Sequence, residues 1–228
     1  MTNSTDQQWV SLRRVLLSLA VFVCVGFTAR DARAAEDVSV VFLSSSDSVY
    51  RGVSEVDGEP AIAASVTWQP SDAFFLGLSG RFADPPNARQ RHNSIDAYLG
   101  TTKAISDQWL GTLSVLRREF PGSVKEWQYT EYNAELSHTN GLRLNYAFAP
   151  DYYAHNTRAS LVEIEKTTFL SQHWYTRFEG GAVALSSDRF DDYQYASAGF
   201  GYTQDRLSLD VSYVWNSQDG SVLFGPNA

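Results

Sequence analysis

Arg206-Leu207-Ser208-Leu209-Asp210-Val211-Ser212-Tyr213-Val214-Trp215 decides the fold. Every odd position from Leu207 to Trp215 is apolar or aromatic, and Ser208, Asp210 and Ser212 between them are polar. Successive side chains in a strand point to opposite faces, so this segment has one greasy face and one wet face. Segments of the same kind recur along the chain, at roughly 37–50, 60–69, 73–82, 93–105, 108–119, 127–139, 141–149, 158–170, 172–185, 193–203 and 219–224. With the one quoted, about twelve strands are predicted, the pattern of an antiparallel transmembrane β-barrel.

The connections alternate in length. Pro70-Ser71-Asp72, Ser106-Asp107, Asn140-Gly141, Ser171 and Gln204-Asp205 are tight turns. Asn140-Gly141 is a strong hairpin signal, because both residues tolerate positive φ. Between them lie longer polar links at 52–59, 83–93, 120–126, 150–157 and 186–192. Short turns on one side and long loops on the other is the asymmetry of outer-membrane barrels, which places the tight turns in the periplasm.

The N-terminus reads as an export signal. Arg13 and Arg14 are basic, residues 15–27 are an apolar core too short for a comfortable membrane helix, and Ala32-Arg33-Ala34 is a small-x-small cleavage site. A signal peptide of 1–34 and a barrel domain of 35–228 are therefore expected. Cys24, the single cysteine, falls inside the signal, and Val23 before it is too large for lipoprotein processing. A mature chain without cysteine has neither disulfides nor a thiolate site. Loss of Arg13, Arg14, Arg30, Arg33, Asp6 and Asp31 leaves 14 basic and 24 acidic residues, a net charge of −10. That balance excludes a nucleic-acid binder. The mean hydropathy of −0.27 is too polar for a helical membrane protein and suits a barrel that is wet inside.

One face of the strands carries Ile62, Val66, Trp68, Phe74, Leu78, Phe82, Leu113, Tyr132, Leu136, Leu144, Tyr146 and Phe178. This is the expected lipid side. Trp68, Trp109, Trp174 and Tyr202 fall at the tight-turn ends, as an aromatic belt would. The opposite face carries Arg81, Asp96, Glu131, Glu135, Arg143, Glu163, Glu165, Arg177, Glu179 and Asp210. These are the expected pore-lining residues. They either pair into a plug-like network or line a narrow water-filled channel. Acidic residues outnumber basic ones, so a pore would lean toward cations.

Other residue patterns carry less. His138 beside Ser137, and His173 near Ser171, could mimic an outer-membrane lipid hydrolase, but both lie beside periplasmic turns, and a triad is recognised by geometry rather than adjacency. Glu131 with Glu135, and Glu163 with Glu165, share a strand face, as lumen carboxylates ordinarily do. Asp188, Asp191 and Asp192 read as a solvated loop before they read as a calcium site. Neither a metal nor a cofactor is expected.

Residues 46–61, S-D-S-V-Y-R-G-V-S-E-V-D-G-E-P-A, resemble the opening signature of the TorF-type porin family, proteobacterial outer-membrane barrels of uncharacterised transport role. The residues that carry the resemblance are Asp47, Arg51, Gly52, Ser54 and Pro60, with Ser48 in place of an aromatic and Glu55 in place of the usual Gln. Tyr146-Ala147-Phe148-Ala149-Pro150-Asp151-Tyr152-Tyr153, Trp174-Tyr175-Thr176-Arg177-Phe178-Glu179 and Asp192-Tyr193 are weaker echoes. The resemblance implies an outer-membrane barrel and brings no catalytic residues. The end of the chain departs from it: Phe224 is followed by four residues, including Pro226, where an outer-membrane barrel usually ends on an aromatic.

The expected function is a porin-like channel for small hydrophilic solutes in the outer membrane of a Gram-negative bacterium. Its partners would be outer-membrane lipid and, during biogenesis, the barrel-assembly machinery. The alternatives are a structural or interaction barrel with a closed lumen, and an outer-membrane lipid hydrolase.

Overall fold

The computed structural model describes residues 19–29, 37–56, 58–83, 93–121, 128–187 and 191–217. Its strands are β1 (Leu19–Ala29), β2 (Asp37–Ser45), β3 (Val49–Tyr50), β4 (Val53–Ser54), β5 (Ala61–Ser71), β6 (Phe74–Ala83), β7 (Ser94–Ala104), β8 (Trp109–Glu119), β9 (Gln128–His138), β10 (Leu142–Ala149), β11 (Ala159–Phe169), β12 (Trp174–Leu185), β13 (Tyr193–Gln204) and β14 (Leu207–Asn216). The described residues contain one short 3-10 turn, Tyr152–Ala154, and no helix long and apolar enough to cross a membrane. The latter says nothing about strands.

Eleven strands, β2 and β5 to β14, form one antiparallel sheet in which each pairs with the next along the chain. This sheet does not close on itself. Its edges β2 and β14 both start at the tight-turn end and so run parallel. β1 runs the opposite way between them, with Val21 opposite Val211 and Val25 opposite Phe42, and completes the ring. The predicted strand at 219–224 lies outside the described residues, as do residues 1–18 and 30–34 of the predicted signal. The twelfth position in the ring is therefore held by the segment read as the signal's apolar core.

The period-2 pattern explains the sheet's two faces. Ile62, Leu78, Phe82, Leu113, Val162, Phe178 and Trp215 are exposed on the outer face, while their strand neighbours turn inward. Trp174 stacks on Phe200 at 4.9 Å and meets Tyr202 edge-on at 4.8 Å. Trp109 meets His138 edge-on at 4.6 Å. The two tryptophans sit on matching turns. Ser106 Oγ accepts the N–H of Trp109 at 3.2 Å, and Ser171 Oγ accepts that of Trp174 at 3.2 Å.

Inside the ring, four glycines are covered by aromatic side chains of their direct cross-strand partners: Gly77 by Tyr98, Gly100 by Phe75, Gly181 by Tyr195 and Gly201 by Tyr175. A Cβ at Gly201 would stand 2.2 Å from the Tyr175 ring, so only glycine admits the ring there. Each pair lays a flat ring over bare backbone and pins the register of two strands.

The Asn140-Gly141 hairpin joins β9 to β10 as expected, and the end of the first strand changes. Gly141 takes φ +88, but Asn140 is not left-handed. The loop is closed by Gly141 N–H to the His138 carbonyl at 2.9 Å, with a single left-handed glycine. The hairpin with two positive φ values is Arg51 (+53) and Gly52 (+76), between β3 and β4. The first predicted strand, 37–50, accordingly stops at Ser45, and the chain then folds inward.

Candidate functional site

The inward hairpin organises the lumen. Gly52 at its tip lies against Tyr195 of β13, where a Cβ would meet the Tyr195 Cβ at 2.3 Å. The Asn216 side-chain amide of β14 donates to the Gly52 carbonyl at 3.0 Å. Arg51, beside it, reaches the other wall and donates to both carboxylate oxygens of Glu131 on β9, at 2.6 and 2.7 Å. The hairpin therefore touches strands on nearly opposite sides of the lumen. Its stem is held by Ser54, whose hydroxyl donates to Asp47 at 2.6 Å and accepts the Gly58 N–H at 2.9 Å. Pro60 leads directly into β5. Four of the five signature residues, Asp47, Arg51, Gly52 and Ser54, are thus the parts that build and dock this hairpin.

A second set of ion pairs surrounds it. Arg118 of β8 forms a fork with Asp96 of β7 at 2.7 and 2.8 Å, and also donates to Glu55 and to the Tyr129 hydroxyl, each at 3.2 Å. Glu55 further accepts from Arg81 of β6 and, at 3.2 Å, from the Tyr153 hydroxyl. The Tyr50 ring lies between two guanidiniums, 4.6 Å from Arg51 and 4.4 Å from Arg118. Arg51, Arg81 and Arg118 match Glu131, Glu55 and Asp96 one for one, and Asp47 in the hairpin stem adds a fourth buried carboxylate. The set is dry: side-chain exposure is 7% for Arg51, 3% for Glu131 and 2% for Glu55. Burial raises the Tyr50 phenol to about 12, with the Glu131 charge adding to the effect and Arg51 opposing it. Burial also raises the Tyr153 phenol.

Over this set packs the segment 150–157. Tyr152 and Tyr153 are buried against each other at 4.5 Å and against Tyr129 at 5.1 and 4.9 Å, with Phe120 alongside. Tyr153, Ala154 and Asn156 all take positive φ, an uncommon run for residues with a Cβ. Asp151 holds the turn by accepting the Asn156 N–H at 2.7 Å.

The tight-turn half of the lumen is wetter. Arg143 is 41% exposed, Arg177 31% and Glu135 30%. Arg143 pairs with Glu165 at 2.5 Å and reaches Glu135 at 4.0 Å. Arg177 and the Tyr175 hydroxyl both donate to Asp210, at 3.1 and 2.9 Å. Glu163 accepts from the Tyr195 hydroxyl, and Glu179 stands directly across from Glu165. Five carboxyl groups face two guanidiniums here.

All ten predicted lumen residues therefore lie on the inner face, but in two groups. Arg81, Asp96 and Glu131 belong to the dry set around the hairpin. Glu135, Arg143, Glu163, Glu165, Arg177, Glu179 and Asp210 line the wetter half. Sequence reasoning missed Tyr50, Glu55, Arg118, Tyr129, Tyr153 and Tyr195. Arg118 was within reach, since it falls on the inward rung of β8. Glu55 is the position where this chain departs from the signature's Gln, and it receives two guanidiniums.

His138 and His173 sit apart from this set. The Asn140 N–H donates to His138 Nδ1 at 3.0 Å, and His173 Nδ1 lies 3.0 Å from the Thr203 carbonyl. Asp192 accepts the Leu185 N–H at 2.7 Å, and Asp188 lies outside the described residues. Among the described residues no three His, Cys, Asp or Glu side chains converge on a metal-sized site. No family model, curated protein or solved structure matches the chain.

Proposed function

We propose that this chain is an outer-membrane β-barrel with a porin-like lumen that is closed at its loop end at rest. The buried Arg51–Glu131 pair, which ties an inward hairpin across the lumen, carries this reading over that of an open sieve. The outer face supports the membrane setting: a belt of exposed Leu, Ile, Val and Phe, with Trp68 and Trp174 toward the tight-turn ends, suits lipid and would be costly in water. The resemblance of residues 46–61 to the TorF-type signature points the same way. Outer-membrane lipid is then the solvent of the barrel, the assembly machinery its partner during biogenesis, and small hydrophilic solutes its cargo. A barrel that never conducts is the second reading, favoured by the buried ion pairs of Arg51, Arg81 and Arg118 around the hairpin. The test is conductance of the refolded protein in a planar bilayer. Long silent periods with rare openings are expected. A steady, large conductance in the unmodified protein overturns the closed reading.

A further inference from the structure

We infer that the hairpin of residues 47–56 is a displaceable gate, latched by Arg51 on Glu131, and that the vestibule it covers selects small hydrated cations. This rests on the closed-barrel reading above and names its moving part and its substrate class.

Three observations carry it. First, the hairpin is fastened largely by polar groups. The Arg51 fork, the Asn216 amide on the Gly52 carbonyl, and the Glu55 contacts with Arg81, Arg118 and Tyr153 are all bonds that water can replace once the hairpin lifts. Its apolar footing is small: Val53 packs with Ala147, Leu161, Val183, Tyr193 and Tyr195, and Val56 with Ala61 and Ala83. Second, the strand ladder does not depend on it, although Glu131 and Arg81 exchange their hairpin partners for water when it leaves. Arg118 keeps its fork to Asp96, and the barrel ladder passes through neither β3 nor β4. The hairpin can leave without opening the ring. Third, the charge is distributed by depth. The dry set has three guanidiniums against four carboxylates, Asp47 included, whereas the vestibule below has five, Glu135, Glu163, Glu165, Glu179 and Asp210, against only Arg143 and Arg177. A low-dielectric wall around that excess focuses its field and raises the local concentration of cations. A permanently sealed barrel has no use for a wet, charged half beneath its seal.

The experiment uses the refolded barrel in planar bilayers under a potassium chloride gradient, with Arg51→Met and Arg51→Met/Glu131→Met beside the unmodified protein. Heat-modifiable gel migration confirms that each is folded. A second readout is Val53→Cys, a buried position on the hairpin, labelled with a membrane-impermeant maleimide. Expected are openings in Arg51→Met at least about tenfold more frequent than in the parent, with a reversal potential on the cation side, and labelling of Val53→Cys faster by a similar factor when the latch is broken. Glu163→Gln/Glu165→Gln in the Arg51→Met background should move the reversal potential toward zero. If the parent is silent and the folded Arg51→Met barrel stays silent with Val53→Cys protected, the gate is refuted while the closed barrel stands. If Arg51→Met conducts without cation preference, the substrate class is refuted. If the parent already conducts steadily, the closed reading itself fails and the gate with it.

Discussion

Replacing Arg51 by Met removes both charge-assisted hydrogen bonds to Glu131 and leaves that carboxylate 3% exposed. What remains near it is the Tyr50 hydroxyl at 3.5 Å, too long to compensate. Breaking a buried pair from one side costs about 3–5 kcal/mol, because an uncompensated charge stays behind. Glu131→Met strands the guanidinium in the same way, softened by the Tyr50 ring 4.6 Å from it, a contact worth about 1–2 kcal/mol. The double replacement leaves neither charge buried and should return to within about 1–2 kcal/mol of the parent. The loss in a single variant is capped by the docking free energy of the hairpin, since beyond that the hairpin detaches and Glu131 is hydrated. Two measurements are therefore paired: urea unfolding of the refolded barrel followed by tryptophan fluorescence, and amide exchange of residues 49–54. Each single variant should lower the midpoint and expose those amides, and the double should recover both. Additive losses in the double variant refute the reasoning, because they mean that the two charges were never a dry pair.

Gly181→Ala should cost about 1–3 kcal/mol, read as a lowered urea midpoint, because its Cβ would stand 2.4 Å from the Tyr195 ring. Its neighbour Gly180, which has only the Tyr195 carbonyl at 3.8 Å, should accept Ala without loss. Between the ordinary phenol value near 10 and about 12, the folded chain keeps a Tyr50 proton that the unfolded chain has lost, so stability should fall as pH rises through that window and be unaffected below it. Tyr50→Phe should flatten that slope in urea titrations at several pH values. In liposomes, Trp68 and Trp174 should be quenched more by lipids brominated near the headgroup than by those brominated at the chain end, and iodide in water should reach them poorly. Strong iodide quenching of both would argue against a lipid-facing belt.

The alternation that was legible in the sequence was enough to sort the side chains. Asp210 faces inward and Val211 outward because β14 keeps strict period 2 beside partners that do the same. The hairpin was not legible, for a physical reason. Its fold is decided by Glu131, which lies 80 residues from Arg51, and by Tyr195 and Asn216, which are further still. Local pattern alone makes Glu55 look like a solvated loop residue. Burial among guanidiniums reverses that, and it depends on which strands the ring brings face to face. The Asn140-Gly141 hairpin was legible because its signal is local, and the turn closes through Gly141 N–H on the His138 carbonyl.

Parity constrains what closes the barrel. Eleven antiparallel strands leave the first and last running in the same direction, so β2 and β14 cannot complete an antiparallel ladder with each other. A strand descending toward the tight-turn end has to stand between them, and Leu19–Ala29 does so here, paired along both edges. Yet this strand reads L-A-V-F-V-C-V-G-F-T-A, apolar almost throughout, whereas the walls it joins alternate. Its register sets Phe22 opposite Asp210 on one side and Ser45 on the other, positions whose own residues face the lumen. Pairing needs only a backbone, and an uncovered edge in lipid would leave a row of N–H and C=O groups unpaired. The demand for a twelfth strand therefore comes from the direction of β2 and β14, and the hydrogen-bonding is indifferent to the side chains of the segment that meets it.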